Sequence, residues 1–251
     1  MAAGVHSVRA VDPAAMATVA AWAAGRRGPL HLHLSEQRAE NEACLAATGR
    51  TPAALAESAG VLGPRTTAVH ATHLTDEDLT RLGATGTTAC LCPTTERDLA
   101  DGVGPARALA DAGSPLCLGS DSHAMIDLFE EARAVELDER LATERRRHHQ
   151  PADLLTAATA AGMDALGWRA GRLAPGHLAD LVTVGLDSPH LAGTRPADAV
   201  DHLVFAATAA DVTSVVNGGR QVVKDGHHLL VGDVAAALTE ALAALGPRHM
   251  T

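Results

Sequence analysis

The 251-residue chain holds 30 acidic against 20 basic residues, a formal net charge of -10, which argues against a nucleic-acid partner because phosphate binding needs Lys and Arg in excess. With 47% hydrophobic and 20% charged residues the chain is a packed protein rather than a disordered one. Aromatics are 2%, with no Tyr and two Phe, so Leu, Val and Ala must fill the interior.

This length suits one large core or two modest domains. No apolar stretch approaches the roughly 18 residues of a membrane span, and the N-terminus lacks the order of a signal peptide. The four cysteines, Cys44, Cys90, Cys92 and Cys117, sit mostly in apolar strand-like runs without the spacing of a disulfide framework. A reducing cytoplasm, with no membrane partner, is expected.

In chain order, the periodicity predicts strands at Ala3–Ala10, Leu30–Leu34, Thr66–Val69, Thr87–Leu91 and Pro115–Leu118. Helices are predicted at Pro13–Ala24, Ala39–Ala47, Pro52–Ala59, Asp76–Leu82, Pro105–Ala112 and Ile126–Leu141. Thr75 followed by Asp78 reads as a capped helix start. Such alternation predicts βα units around a parallel sheet, although five strands are too few to close an eight-stranded barrel. The cluster Arg145, Arg146, Arg147, His148 and His149 is expected to be a solvated helix terminus, where cations suit the dipole.

Beyond Gln150, Pro151–Ala161 and Met163–Leu166 read as helices and Leu181–Val184 as a strand. Val212–Val216, the turn Asn217-Gly218-Gly219 and Gln221–Lys224 predict a hairpin. A last helix, Val234–Leu245, should stop at Gly246-Pro247. The expected domains are a barrel portion at 1–170, a β-rich appendage at 171–230, and a closing helix and tail at 231–251.

Three stretches carry candidate chemistry: HLHLSEQ (His31 to Gln37), VHATH (Val69 to His73) and GSDSH (Gly119 to His123). Each places a His or Asp at the end of an apolar run, where α/β barrel strands deliver ligands to a hydrolytic metal. His31 and His33, two apart on a strand, share a face, and Glu36 lies just past its end. Taken alone, this His pair is equally a pair of interior imidazoles satisfied by backbone carbonyls. With His70 and Asp121 ending two further strands, a metal-dependent hydrolase is the leading expectation. Cys90 and Cys92 lack a second CxC or CxxC pair and read as strand residues.

HSVRA (His6 to Ala10), HLHLSEQ, VHATH, CPTTERDLADG (Cys92 to Gly102), GSDSH and FEEARAVELDERL (Phe129 to Leu141), in this order, resemble the formimidoylglutamate deiminases of the amidohydrolase superfamily. The likeness runs through most of residues 4–225. It implies an α/β fold, a partial (β/α)8 TIM-like barrel comprising strands four to eight, with part of a small β-sandwich appendage. It also implies hydrolysis of N-formimidoyl-L-glutamate to N-formyl-L-glutamate and ammonia, a step of histidine degradation, with one zinc ion.

Carried over by position, the resemblance makes His33 a zinc ligand and Asp121 both ligand and general base toward the water that the metal activates. Glu36 would shuttle a proton to the leaving nitrogen and His70 would hold the attacking hydroxide. Arg9 would grip the substrate's glutamate carboxylate with its guanidinium fork, beside His6. CPTTERDLADG is expected as a loop over the seventh barrel strand.

The HxH that supplies two further zinc ligands from the family's first strand is not in this sequence. Formally, His31, His33, His70 and Asp121 offer three nitrogens and a carboxylate. The open barrel edges would invite pairing with another chain, a homodimer included. Val5 stands where the family tends to have Pro, Asp98 and Ala100 where Asn and Gly are usual, and Leu137 replaces an aromatic. The other readings are a guanine-deaminase-like enzyme, against which Arg9 in HSVRA speaks, and an inactive remnant serving as a scaffold.

Overall fold

The computed structural model describes residues 1–245. Five parallel strands form one sheet in chain order: β1 (Ala3–Val5), β2 (Leu30–Leu34), β3 (Thr66–His70), β4 (Thr88–Leu91) and β5 (Leu116–Leu118). Between β1 and β2 lies α1 (Pro13–Gly25), whose N-cap Asp12 accepts from the amides of Ala14 and Ala15 while Pro13 supplies a preset φ. The β2–β3 connection holds α2 (Arg38–Thr48) and α3 (Pro52–Ser58), and the next holds α4 (Asp76–Thr85). Thr75 and Asp78 start α4 with a capping box, as their spacing predicts. Then come α5 (Pro93–Asp98) and α6 (Ala106–Ala112) before β5, and α7 (Leu128–Thr143) after it.

Sequential parallel order makes each connection a crossover, which covers the sheet with helices on its apolar side. Leu30, Leu32 and Leu34 of β2 face that side with Ala68 and Ala89, packed with Met16, Leu82 and Leu109. Leu91, Ala132, Val135, Leu154 and Val204 form a second cluster under α7. Small side chains let these helices come close. At Gly83 an added Cβ would lie 1.9 Å from the Ala112 carbonyl oxygen, so α4 and α6 can approach this far only without a side chain there. The opposite sheet face carries His31, His33, Val69, Thr88 and Cys90, all half-buried.

Further on, α8 (Pro151–Thr156) runs through a π-helical turn, Ala157–Ala161, into α9 (Gly162–Ala165), so the two helices expected there are one irregular segment. After β6 (Leu181–Val184) comes α10 (Ala199–Phe205), a short helix that the periodicity did not indicate. An antiparallel sheet then pairs β6, β7 (Val212–Asn217), β8 (Arg220–Lys224) and β9 (His227–His228) in that order. Gly218 and Gly219, at φ 57° and 82°, form the expected hairpin turn, and the Gly218 amide donates to Asp180 at 2.6 Å. The last described element is α11 (Val234–Ala244). The Gly246-Pro247 stop lies outside the described residues. None of the described helices is long and apolar enough to cross a membrane.

Several expectations need correction. The strand expected over Ala3–Ala10 ends at Val5, because the Ser7 carbonyl accepts from the amides of Ala10 and Val11 and turns the chain. The segment expected as a loop after Cys92 begins as α5, since Pro93 presets the first helical φ and the Glu96 carboxylate takes the Cys92 amide at 2.8 Å. In the basic cluster the three arginines are exposed, but His149 is buried against Glu139, with Nε2 2.9 Å from the carboxylate. Cys44 lies on α2 and Cys92 at the N-cap of α5, past the end of β4, rather than in strands.

Candidate active site

The exits of β2, β3 and β5 share an uncommon backbone feature. Ser35 (φ 51°), His70 (φ 69°), Ala71 (φ 52°) and Asp121 (φ 49°) are left-handed non-glycine residues, a conformation costly for L-residues. Strain of this kind persists only where the surroundings fix it, and it re-aims side chains at the ends of strands. Here it turns His70 across the sheet edge, where its ring stacks on His33 with centroids 5.6 Å apart.

His70 is the centre of the cluster. It is almost fully buried; its Nδ1 meets Glu96 Oε1 at 3.3 Å, and its Nε2 faces Glu36 Oε1 at 3.8 Å and Asp121 Oδ2 at 3.7 Å. Among the described residues Nε2 has no hydrogen-bond partner. A buried imidazole nitrogen between two carboxylates, with neither close enough to bond it, leaves room for a small polar ligand. Burial acts to lower the pKa of His70, but the Glu96 hydrogen bond and charge, followed by Glu36 and Asp121, outweigh it and hold the value above the ordinary one. Glu96 itself is pushed up, chiefly by burial, with His70 opposing.

His33 comes from the neighbouring strand. Its Nδ1 lies 2.9 Å from the His6 carbonyl, and the two rings are 5.2 Å apart. The carbonyl accepts the Nδ1 proton, which leaves Nε2 as the lone-pair nitrogen, the arrangement usual in metal-binding histidines. His31, by contrast, is satisfied by the carbonyl of Ala165 at 3.1 Å and takes the structural role that the sequence left open.

Arg9 donates from Nη2 to Glu36 Oε2 at 2.6 Å, and its Nε is 3.7 Å from Glu40 Oε1. Glu40 is buried and pushed up first by that burial, with Arg9 opposing. Its carboxylate also accepts the Glu36 amide at 3.0 Å. The same device recurs at the exit of β4, where Glu96 takes the amide four residues before it. Each carboxylate fixes the chain just where a strand ends.

The structure thus brings Arg9, His6, His33, Glu36, His70 and Asp121 into one cluster through the contacts above. The two expected zinc ligands enter it by different links, His33 through its stacking on His70 and Asp121 through His70 Nε2. Among the described residues the only group of three potential ligands with all donor atoms within 4.8 Å of one another is His70, Cys92 and Glu96, which includes neither.

Several supporting residues escaped the sequence reading. Thr94 donates to the buried Glu131 carboxylate of α7 through both its amide, at 3.1 Å, and its hydroxyl. Thr95 Oγ1 donates to the Ser120 carbonyl at 2.7 Å and accepts the His123 amide at 3.1 Å, holding the segment that bears Asp121. Glu139 accepts the Arg107 amide at 3.1 Å at the start of α6. The acids of α7 therefore serve as caps for neighbouring helix starts, where carboxylates suit the dipole. A proline after a strand followed by Thr-Thr-Glu was a visible signal for α5; nothing local marks Glu131 as buried.

Comparison with known proteins supplies the family. Residues 1–222 match the Amidohydrolase family. A formimidoylglutamate deiminase of Pseudomonas aeruginosa is 36% identical over 248 residues, covering 96% of this chain and 54% of that protein. A 5'-deoxyadenosine deaminase of Methanothermobacter thermautotrophicus is 33% identical over 97% of this chain and 58% of its own length. Among solved structures, a zinc-bound adenosine deaminase from Xanthomonas campestris superposes with a TM-score of 0.88 at 28% identity, over 96% of this chain and 55% of that one. The chain spans about half the length of the curated relatives it matches. It belongs to the amidohydrolase family.

Proposed function

We propose that this chain carries the acid–base and substrate-carboxylate half of a zinc-dependent deiminase that hydrolyses N-formimidoyl-L-glutamate to N-formyl-L-glutamate and ammonia. The observation that carries the reading is the buried, unpartnered His70 Nε2 facing the Glu36 and Asp121 carboxylates. Support for the substrate comes from the exposed Arg9, whose guanidinium, among the described residues, hydrogen-bonds through Nη2 only, and from the 36% identity to the Pseudomonas aeruginosa enzyme.

The donors fit zinc in kind. His33 presents a lone-pair nitrogen and Asp121 an exposed carboxylate, and these two would hold part of the ion's shell. Zinc at this position supplies Lewis acidity and a lowered pKa for bound water. Asp121 accepts one proton of the attacking water and Glu36 the other, and both protons are passed to the departing nitrogen, so that ammonia leaves as the formyl C=O forms. His70, held through Nδ1 by Glu96, contributes Nε2 as a hydrogen-bond partner of the oxygen that becomes the formyl group. Arg9 exchanges Glu36 for the substrate carboxylate, which both orients the substrate and frees Glu36 for proton transfer.

The nucleoside deaminases among the relatives favour a second reading, in which the same cluster acts on an aminopurine. Ammonia release from N-formimidoyl-L-glutamate and from 5'-deoxyadenosine separates the two. The assay uses the zinc-supplied 251-residue chain beside the longest in-frame product of its gene. Arg9→Ala should depress turnover of formimidoylglutamate far more than of an uncharged formamidine. Equal loss on both removes Arg9 as the clamp, and ammonia from the nucleoside alone overturns the substrate. With neither substrate turned over in either form, the catalytic reading fails.

A further inference from the structure

Arg9 is shared by two carboxylates that differ in their freedom. Glu36 takes its Nη2 at 2.6 Å, and Glu40 faces its Nε at 3.7 Å. Glu36 turns its other oxygen toward His70 Nε2 at 3.8 Å, so it borders the reacting position. Glu40 stands in the first turn of α2 with its side chain wholly buried.

A helix start accounts for one oxygen of Glu40. Gln37, the N-cap of α2, makes no side-chain capping bond, and Glu40 Oε2 reaches back to the Glu36 amide at 3.0 Å, one residue beyond the amide that a capping box serves. The other oxygen, Oε1, is buried without a hydrogen-bond partner among the described residues, and Arg9 Nε is the cation in front of it. An unmatched carboxylate oxygen inside a protein is costly, and a carboxamide would cap α2 with less loss of hydration. The charge of Glu40 therefore serves something besides the cap.

We propose that Glu40 is a positioning residue for Arg9: when Glu36 lets go of the guanidinium, Arg9 Nε closes on Glu40 Oε1 and the Nη pair is presented to the substrate carboxylate. The inference rests on the deiminase reading, in which Arg9 exchanges Glu36 for substrate. An end-on fork uses the two Nη groups and leaves Nε to Glu40. The guanidinium then has two carboxylates beside it before and after the exchange, so the buried Glu40 is never left without its counter-charge. Glu40 cannot follow Arg9 outward, because Oε2 is tied to backbone. A fork held at Nε has already given up rotamer freedom that a loose arginine would lose on binding.

The test follows Arg9 itself, by NMR hydrogen exchange at its Nε–H in the 251-residue chain, with the signal assigned by its loss in Arg9→Ala. Glu36→Gln stands for the state in which Glu36 has let go. In that background the Nε proton should exchange slowly, and adding Glu40→Gln should speed it roughly tenfold or more, the factor that a hydrogen bond to a charged group represents. The amide at position 36 should keep its protection, since the carboxamide oxygen still caps α2. In the unaltered chain, N-formyl-L-glutamate should slow Nε exchange further. With substrate, Glu40→Gln alone should raise KM for N-formimidoyl-L-glutamate far more than KM for an uncharged formamidine. Equal Nε exchange with and without Glu40→Gln, or a loss confined to the amide at position 36, makes Glu40 a helix cap only and overturns the proposal. A KM that rises alike for both substrates, or faster Nε exchange on adding N-formyl-L-glutamate, overturns it too. A parent chain that turns over neither substrate while the NMR contrast holds upholds the grip of Glu40 on Arg9 and overturns the deiminase reading instead.

Discussion

Glu136, on α7, holds the turn that follows its own helix. Its side chain is fully buried, and it accepts from Arg140 Nε at 2.6 Å, from the Arg147 amide at 2.9 Å and from the His149 amide at 2.8 Å. Glu136→Gln keeps the shape, removes the charge and turns an NH2 toward one of these donors. The bond to the buried His149 amide should cost ~1.5–3 kcal/mol, as a hydrogen bond to a charged group does. Arg140 and Arg147 reach solvent, so their bonds are discounted to about 0.2–1 kcal/mol each, for a total of roughly 2–5 kcal/mol. At about 2–4 °C per kcal/mol for a chain of this size, the melting temperature should fall by roughly 4–20 °C near neutral pH.

Acid should close that gap. Burial opposes ionisation of Glu136, but the Arg140 bond and the two amides outweigh it and hold its pKa below the ordinary 4.5. A depressed carboxylate contributes stability that is fully present above the unfolded-state value and is lost as pH falls through the folded one. Thermal melts of parent and variant, followed by circular dichroism from pH 7 down to the acid limit of the fold, measure both effects. A variant that melts within about 1 °C of the parent at pH 7, well inside the scatter of surface substitutions, refutes the argument. So does a gap that stays constant through the acid range.

Ala100, exposed after α5, adopts φ 58°, in the left-handed region that favours glycine. Ala100→Gly should relieve ~1–2 kcal/mol of left-handed strain against ~0.4–1 kcal/mol of added unfolded-state entropy, raising the melting temperature slightly; a fall would show that the strain is not there. Thr95→Val removes the hydroxyl that joins the Ser120 carbonyl to the His123 amide, at a cost of about 1–2 kcal/mol. Amide hydrogen exchange at His123 should accelerate while exchange in β2 does not change, and protection left intact at His123 would remove Thr95 as the pin of the Asp121 segment.

The order of elements could be read from the chain because its signals are local. Alternation in LHLHL specifies β2, Asp12 and Pro13 start α1, Thr75 and Asp78 start α4, and Gly218-Gly219 closes a hairpin, each within a few residues. The strand-end motifs likewise marked His33, Glu36, His70 and Asp121 as candidates, since a residue at the end of a parallel strand falls on the same rim as its neighbours.

Only the tertiary structure decided how those candidates are used. His31 and His33 are equivalent in sequence, yet one meets the Ala165 carbonyl 134 residues away and the other the His6 carbonyl, a choice that depends on which backbone lies above each ring. The contacts of Glu96 and Glu131 rest on pairing between separate strands and helices, which composition and spacing do not encode. Left-handed turns at His70 and Asp121 arise in the same way, because residues of ordinary preference adopt them only when the surrounding hydrogen bonds outweigh the strain.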